Sequence, residues 1–275
     1  MPVPRLAIAI PARYGSSRFP GKPLAEIAGR SMLSRVVDVA RRAVVLSGAA
    51  DVGLFVTTED KRIAAHAEEI GVPCIMTPDT CATGSDRVLA ALRQLDHWPD
   101  FIINLQGDVP FTPPSVLRKM FETFLQNPKA EVITPVQVLS WADLDRLRKN
   151  KKKTPFSGTT VTVDSRGRAL WFSKTILPAI RDEENLRAAE PLSPVRQHLG
   201  LYGFRTDILE KFCSLTLGVY EQLEGLEQLR MLENGIAVQT VEVSLPEGTL
   251  QAGIDTQEDL KRAAQFLKTH GESLL

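Results

Sequence analysis

The sequence predicts an α/β fold: an open, mostly parallel nucleotide-binding sheet with helices on both faces, plus a small mixed α/β lobe. Three observations carry this. Short apolar runs at residues 6–10, 52–57, 101–105 and 132–136 have the length and continuity of strands buried on both faces. Between them, residues 32–46, 60–70, 85–95 and 114–125 carry apolar side chains at three- and four-residue spacing, the stripe of an amphipathic helix. The order is therefore β-α-β-α, which builds a parallel sheet by crossover connections, and 275 residues leave room for a smaller lobe.

Each segment follows in turn. Directly after the first apolar run, residues 11–23 read Pro-Ala-Arg-Tyr-Gly-Ser-Ser-Arg-Phe-Pro-Gly-Lys-Pro, a loop that reads as a triphosphate cradle. Gly15, Ser16, Ser17 and Gly21 allow backbone N–H groups close to phosphate oxygens, and Arg13, Arg18 and Lys22 supply neutralising charge. Pro11, Pro20 and Pro23 stiffen the path. The loop is neither a Walker A nor a G-x-G-x-x-G sequence. Ligands of open α/β sheets bind beyond the carboxyl ends of strands, so this loop and Gln106-Gly107-Asp108 should meet on one edge.

The second half is less regular. Residues 150–153, Asn-Lys-Lys-Lys, mark the sharpest shift in composition and read as a solvated basic loop. Residues 159–163 and 169–172 flank the turn sequence Asp164-Ser165-Arg166-Gly167, a predicted hairpin. Residues 182–194 read as an exposed charged loop, 199–204 as a strand, 223–233 as a helix closed by Asn234-Gly235, and 237–243 as a strand. The last helix spans 255–267, with Asp255 or Thr256 as its N-cap. The expected organisation is a nucleotide-binding core over 1–150, a smaller lobe over 151–222, and a return to the core over 223–275.

Composition narrows the partners. Lys plus Arg and Asp plus Glu both number 33, so no net field favours nucleic acid or an anionic membrane, and a small molecule is the expected ligand. Cys74, Cys81 and Cys213 match no zinc spacing and leave an odd count for disulfides, which fits a reducing cytoplasm. The apolar stretch ending at Ile10 is too short for a signal peptide, and no run reaches the length of a membrane span.

A few side chains stand out for chemistry. Asp108 follows a strand near the phosphate loop, where a carboxylate can hold Mg²⁺ together with substrate phosphates, or merely shape the turn before Pro110. Asp255 opens a helix and could complete the metal site or serve only as a cap. His198 precedes a strand containing Tyr202; an isolated histidine is more often structural. Glu224, Glu227 and Gln228 are expected on one helix, with Glu224 and Glu227 sharing a face.

Together these segments resemble the CMP-Kdo synthetases, the 3-deoxy-manno-octulosonate cytidylyltransferases. The resemblance rests on the loop at 11–23 with Leu24, on Thr83-Gly84-Ser85-Asp86-Arg87, on Gln106-Gly107-Asp108, and on Arg196-Gln197-His198-Leu199-Gly200-Leu201-Tyr202. Leu226-Glu227-Gln228-Leu229-Arg230 and Gly253-Ile254-Asp255-Thr256 extend it over nearly the whole chain. The resemblance implies that Pro11, Ala12, Arg13, Gly15, Ser16, Arg18, Lys22, Gly84, Ser85, Arg87 and Gln106 bind CTP. It implies that Asp108 and Asp255 hold Mg²⁺, and that Gln106, Lys174, His198, Tyr202, Glu227 and Gln228 line the pocket for an acidic sugar. It further implies CMP transfer for lipopolysaccharide biosynthesis by a cytoplasmic homodimer, with the lobe over 151–222 binding the sugar and forming the dimer contact, and with Arg13, Arg18, Lys22, Asp108 and Asp255 as the catalytic set. Other readings are CMP transfer to a different ulosonate or a phosphonate, and a non-catalytic nucleotide-binding homologue.

Four departures from the family pattern bear on the acceptor. Val109 replaces Glu, Lys174 replaces an Arg that contacts the sugar acid, Cys81-Ala82 replaces a His-Gln or His-Pro pair, and Thr160 replaces a Lys. A lysine cannot reproduce the two-pronged grip of arginine on a carboxylate.

Overall fold

The computed structural model describes residues 4–15, 19–49, 51–245 and 253–271. Along the chain, β1 (Leu6–Pro11) leads through a 3₁₀ turn (Lys22–Leu24) and a ribbon of β2 (Glu26–Ile27) and β3 (Arg30–Ser31) into α1 (Met32–Ser47). Then come β4 (Val52–Thr58), α2 (Lys61–Glu69), β5 (Cys74–Met76), α3 (Gly84–Leu92), β6 (Phe101–Asn104) and α4 (Pro114–Gln126). β7 (Val132–Ser140), α5 (Trp141–Lys151), β8 (Thr159–Val163), β9 (Ala169–Ser173), α6 (Glu183–Ala189) and β10 (Leu192–His198) follow. The chain ends with β11 (Tyr202–Arg205), α7 (Thr206–Ser214), α8 (Val219–Glu224), α9 (Glu227–Glu233), β12 (Val238–Glu242) and α10 (Gln257–His270).

Two compact units share these elements. The first takes residues 1–128, 201–213 and 246–275, the second 129–200 and 214–245. These boundaries differ from the expected 1–150, 151–222 and 223–275, because β7 and α5 belong to the second unit and β11 returns to the first. Within the first unit the sheet runs β5-β4-β1-β6-β11, the first four strands parallel and β11 antiparallel to β6. Every residue of β1 and β6 is buried, as central strands of a helix-flanked sheet require. Gly203 lies so close to the Phe101 ring that a Cβ there would collide with it, and Phe101 in turn stacks on Phe124 of α4 at 4.4 Å. The second unit is mixed: β12 pairs parallel with β7, and β7-β10-β8-β9 run antiparallel. The predicted hairpin is β8-β9, turned through Gly167 at φ +75°.

Other expectations need correction. The single helix over 223–233 is two, α8 and α9, broken by Gly225 at φ +64°, so Glu224 ends one helix and Glu227 begins the next. The loop expected over 182–194 contains α6 and the start of β10. Strand β5 and helices α5 and α7 also form in segments assigned no regular structure from the sequence.

Candidate active site

The cradle loop is anchored at its root. Where β1 ends, the Ala12 N–H still donates to the Thr57 carbonyl at 2.9 Å, and the chain then turns away from the sheet. The Gly21 N–H donates to the Tyr14 carbonyl at 2.9 Å, and the Tyr14 N–H donates to Glu59 Oε1 at 3.0 Å. Glu59 Oε2 lies 2.9 Å from Arg87 Nη1, and that nitrogen also donates to the Thr77 hydroxyl at 2.7 Å. Glu59 thus ties the loop to α3 through a buried arginine. Sequence reasoning missed Glu59; its one signal is a place just beyond the carboxyl end of β4. Arg87 faces the expected cavity, but Glu59 already matches its charge.

Gly15 is exposed, and a Cβ there would meet no described atom, so packing within the protein does not demand a glycine. Arg13 is exposed and, among the described residues, has no ion-pair partner. Ser16 and Arg18 lie outside the described residues.

The two acidic candidates meet at Lys22. Its Nζ donates to Asp108 Oδ2 at 2.6 Å and to Asp255 Oδ1 at 3.1 Å. Gly21 at φ +72° turns the chain into the 3₁₀ turn that carries Lys22. The Ile254 N–H donates to the Asp108 carbonyl at 2.9 Å, which sets the 253–255 segment beside the strand end carrying Asp108. The cap of α10 is Thr256: its hydroxyl accepts from Asp259 N at 3.1 Å, while the Asp259 carboxylate accepts from Thr256 N at 2.9 Å. Asp255 is therefore released from capping, and its carboxylate faces Lys22.

These residues border one cavity of about 200 Å³. Pro11, Ala12, Arg13 and Lys22 line it from the cradle, Gly84 and Arg87 from α3, and Gln106, Asp108 and Asp255 from the remaining segments; Cys81 lines it as well. Gln106 is oriented by a relay in which its Nε2 donates to Asn104 Oδ1 at 3.0 Å and Asn104 Nδ2 donates to Ser85 Oγ at 3.3 Å. Ser85 thus acts from behind the wall. Tyr202 is buried and pairs with Asn104 across β11 and β6.

The remaining acceptor-side candidates belong to the second unit. The Lys174 ammonium donates to the Thr159 hydroxyl at 3.1 Å, and Thr159 is the cross-strand partner of His198. His198 is 8% exposed; its Nε2 shares a 2.8 Å hydrogen bond with the Thr134 hydroxyl, and its ring meets Phe172 edge-on. Burial, helped by the Lys174 charge, pushes the imidazole down to about 3, so it is neutral near pH 7. Burial also holds Lys174 below the usual lysine range, against the opposing pull of Glu224. Glu227 and Gln228 open α9, and Gln228 is 2% exposed with its Nε2 lacking a partner among the described residues. Thr160, one of the departures, spends its hydroxyl internally: it donates to the Thr175 carbonyl and accepts from Leu177 N.

A model of the family described as cytidylyltransferase matches residues 7–242. The chain belongs to the cytidylyltransferase family. This cytidylyltransferase is 38% identical over 263 residues to the 3-deoxy-manno-octulosonate cytidylyltransferase of Maricaulis maris, covering 96% of this chain and 97% of that one. It is 35% identical over 271 residues to the enzyme of the same name from Porphyromonas gingivalis, covering 95% and 96%. Among solved structures, CMP:2-keto-3-deoxy-manno-octonic acid synthetase complexed with CTP superposes with a TM-score of 0.80 at 31% identity, over 97% of this chain and 99% of that one. A 4-diphosphocytidyl-2C-methyl-D-erythritol synthase from Anaerococcus prevotii, at 14% identity and a TM-score of 0.57 over 96% of each chain, shares the fold. The cytidylyltransferase is thus a nucleotidyltransferase enzyme. Among the described residues no helix is long and apolar enough to cross a membrane.

Proposed function

We propose that the enzyme transfers CMP from CTP to 3-deoxy-manno-octulosonate, releasing pyrophosphate, with Mg²⁺ as its cofactor. The observation that carries this reading is the convergence of nine residues from four separate segments on one cavity, with two carboxylates aimed at a single cation position. The names of the relatives support the acceptor. In cells the product would serve lipopolysaccharide biosynthesis, in the cytoplasm.

The residues present fit the metal. Asp108 and Asp255 already share one cation, the Lys22 ammonium, and among the described residues no cluster of three or more ligating side chains stands ready without substrate. Two carboxylates completed by phosphate oxygens is the donor set Mg²⁺ prefers. When bound, the ion would lower the pKa of the acceptor hydroxyl and offset the charge developing on the phosphates. The chain's own part is mostly positioning. Arg13, Arg18 and Lys22 neutralise the triphosphate, Gly15 and Ser16 leave room for its approach, and Gln106 holds its place through Asn104. Lys174 meets the sugar carboxylate, with His198, Tyr202, Glu227 and Gln228 shaping the rest of the acceptor site. The anomeric hydroxyl oxygen attacks the α-phosphorus in line, its proton passes to solvent water, and the bond to the bridging oxygen breaks so that pyrophosphate leaves.

The decisive test is pyrophosphate release from CTP with a panel of acids. We expect turnover with 3-deoxy-manno-octulosonate; silence with it and a signal from another ulosonate or a phosphonate would overturn the acceptor. We also propose a homodimer, supported by the exposed apolar side chains Leu217, Val219, Tyr220 and Leu223 clustered along α8 and its approach. Sedimentation equilibrium should return twice the chain mass, and a monomer at micromolar concentration would sink this assignment.

A further inference from the structure

The basic patch at residues 150–153 contains a side chain that does not behave as a solvated lysine. Lys151, the last residue of α5, directs its ammonium into a ring of four main-chain carbonyls: Pro155 at 3.3 Å, Ser157 at 2.6 Å, Gly158 at 2.8 Å and Lys174 at 2.5 Å. An ammonium has three N–H donors, so this ring spends all of them on backbone oxygens. Gly158 makes the ring possible. It holds φ +68°, and a Cβ there would press against Leu147 of the same helix at 2.9 Å.

The ring fixes Lys174 from two directions. One hydrogen bond grips the Lys174 carbonyl itself; another grips Gly158, whose neighbour Thr159 accepts from the Lys174 ammonium at 3.1 Å. On its other side the Lys174 N–H donates to the Glu224 carboxylate at 2.6 Å. The peptide groups flanking this one residue are therefore held between a full positive and a full negative charge, each forming a charge-assisted bond. A point-charge lysine standing where the family has an arginine fork gains more from such bracing, because its flexible stem sets no geometry of its own.

We infer that Lys151 is a positioning residue for the acceptor: by clamping the Lys174 carbonyl and the Gly158–Thr159 corner, it holds the Lys174 ammonium where the acceptor carboxylate binds. This rests on the acceptor role proposed above for Lys174, and the test separates the two. With CTP and 3-deoxy-manno-octulosonate, Lys174→Met should raise the KM of the sugar acid roughly tenfold or more, the scale of one lost charged hydrogen bond, at an unchanged KM for CTP. Lys151→Met should do the same, and the double variant should be no worse than Lys174→Met alone, because the two act through one contact. Loss of the carbonyl ring lowers melting temperature in either case, whereas a purely structural Lys151 would shift both KM values and kcat together, which overturns the inference. An effect in Lys174→Met with none in Lys151→Met, or multiplied effects in the double variant, overturns the inference alone. An unchanged acceptor KM in Lys174→Met removes the acceptor role of Lys174 and the inference with it. Should Lys151→Met fail to fold, Lys151→Gln, which keeps an amide donor, is read by the same criteria.

Discussion

Asp255 and Thr256 are adjacent, and the residue scale is where their roles part. Thr256 carries the helix cap, whereas Asp255 reaches Lys22 at 3.1 Å and the cavity. Asp255→Asn should therefore lower kcat roughly a thousandfold, several kcal/mol of transition-state stabilisation, while melting temperature is unchanged. Thr256→Ala should do the reverse, costing about 1 kcal/mol of stability and leaving kcat within a few-fold. Near-normal turnover in Asp255→Asn would remove it from the metal site. From sequence the two residues are indistinguishable as caps, because Asp and Thr are both good N-caps; only the reciprocal bonding with Asp259 decides between them. Lys151 was hidden for a related reason: its partners are carbonyls, which carry no sequence signature.

At the scale of elements, legibility follows the apolar pattern. β1, β4, β6, α1 and α4 announce themselves because each buries a continuous run or a full stripe. Helix α5 buries only Leu144 and Leu147 among its eleven residues, and α6 buries none, so neither shows a stripe. What holds α6 is charge: Glu183 accepts from Arg148 at 2.7 Å and from Arg187 at 2.9 Å, and those guanidiniums keep its carboxyl down at about 2. The Glu183–Arg187 pair has helical i,i+4 spacing, but Arg148 lies 35 residues away in the chain, a distance over which periodicity reveals nothing. The strand-end segments of the site were readable because the topology of a parallel sheet brings them to one edge. The split at Gly225 was not, since a glycine inside a helical pattern often continues the helix.

For the whole molecule, the buried histidine sets an acid limit. His198 stays neutral in the folded chain down to about pH 3, while in the unfolded chain it titrates near 6.5. Its contribution to stability is therefore complete above about pH 6.5 and is lost as pH falls from there toward 3, at up to about 1.4 kcal/mol per pH unit. Glu183, with its depressed carboxyl, adds a loss of its own only at lower pH, from near 4.5 toward 2. Urea unfolding between pH 6.5 and 5, above the carboxylate range, should show stability falling with acid, and His198→Gln should flatten that slope. An identical slope in the variant would show that another group controls it.

The ion pairing around Lys22 has a kinetic consequence. Among the described residues, the cavity wall and its support carry three cations, Arg13, Lys22 and Arg87, against three carboxylates, Glu59, Asp108 and Asp255. Had the two aspartates stood without the lysine, the mouth would repel a polyanion until a dication arrived. With those charges balanced and Arg13 exposed, the described part of the mouth offers a triphosphate little net repulsion, and raising ionic strength has correspondingly little to screen.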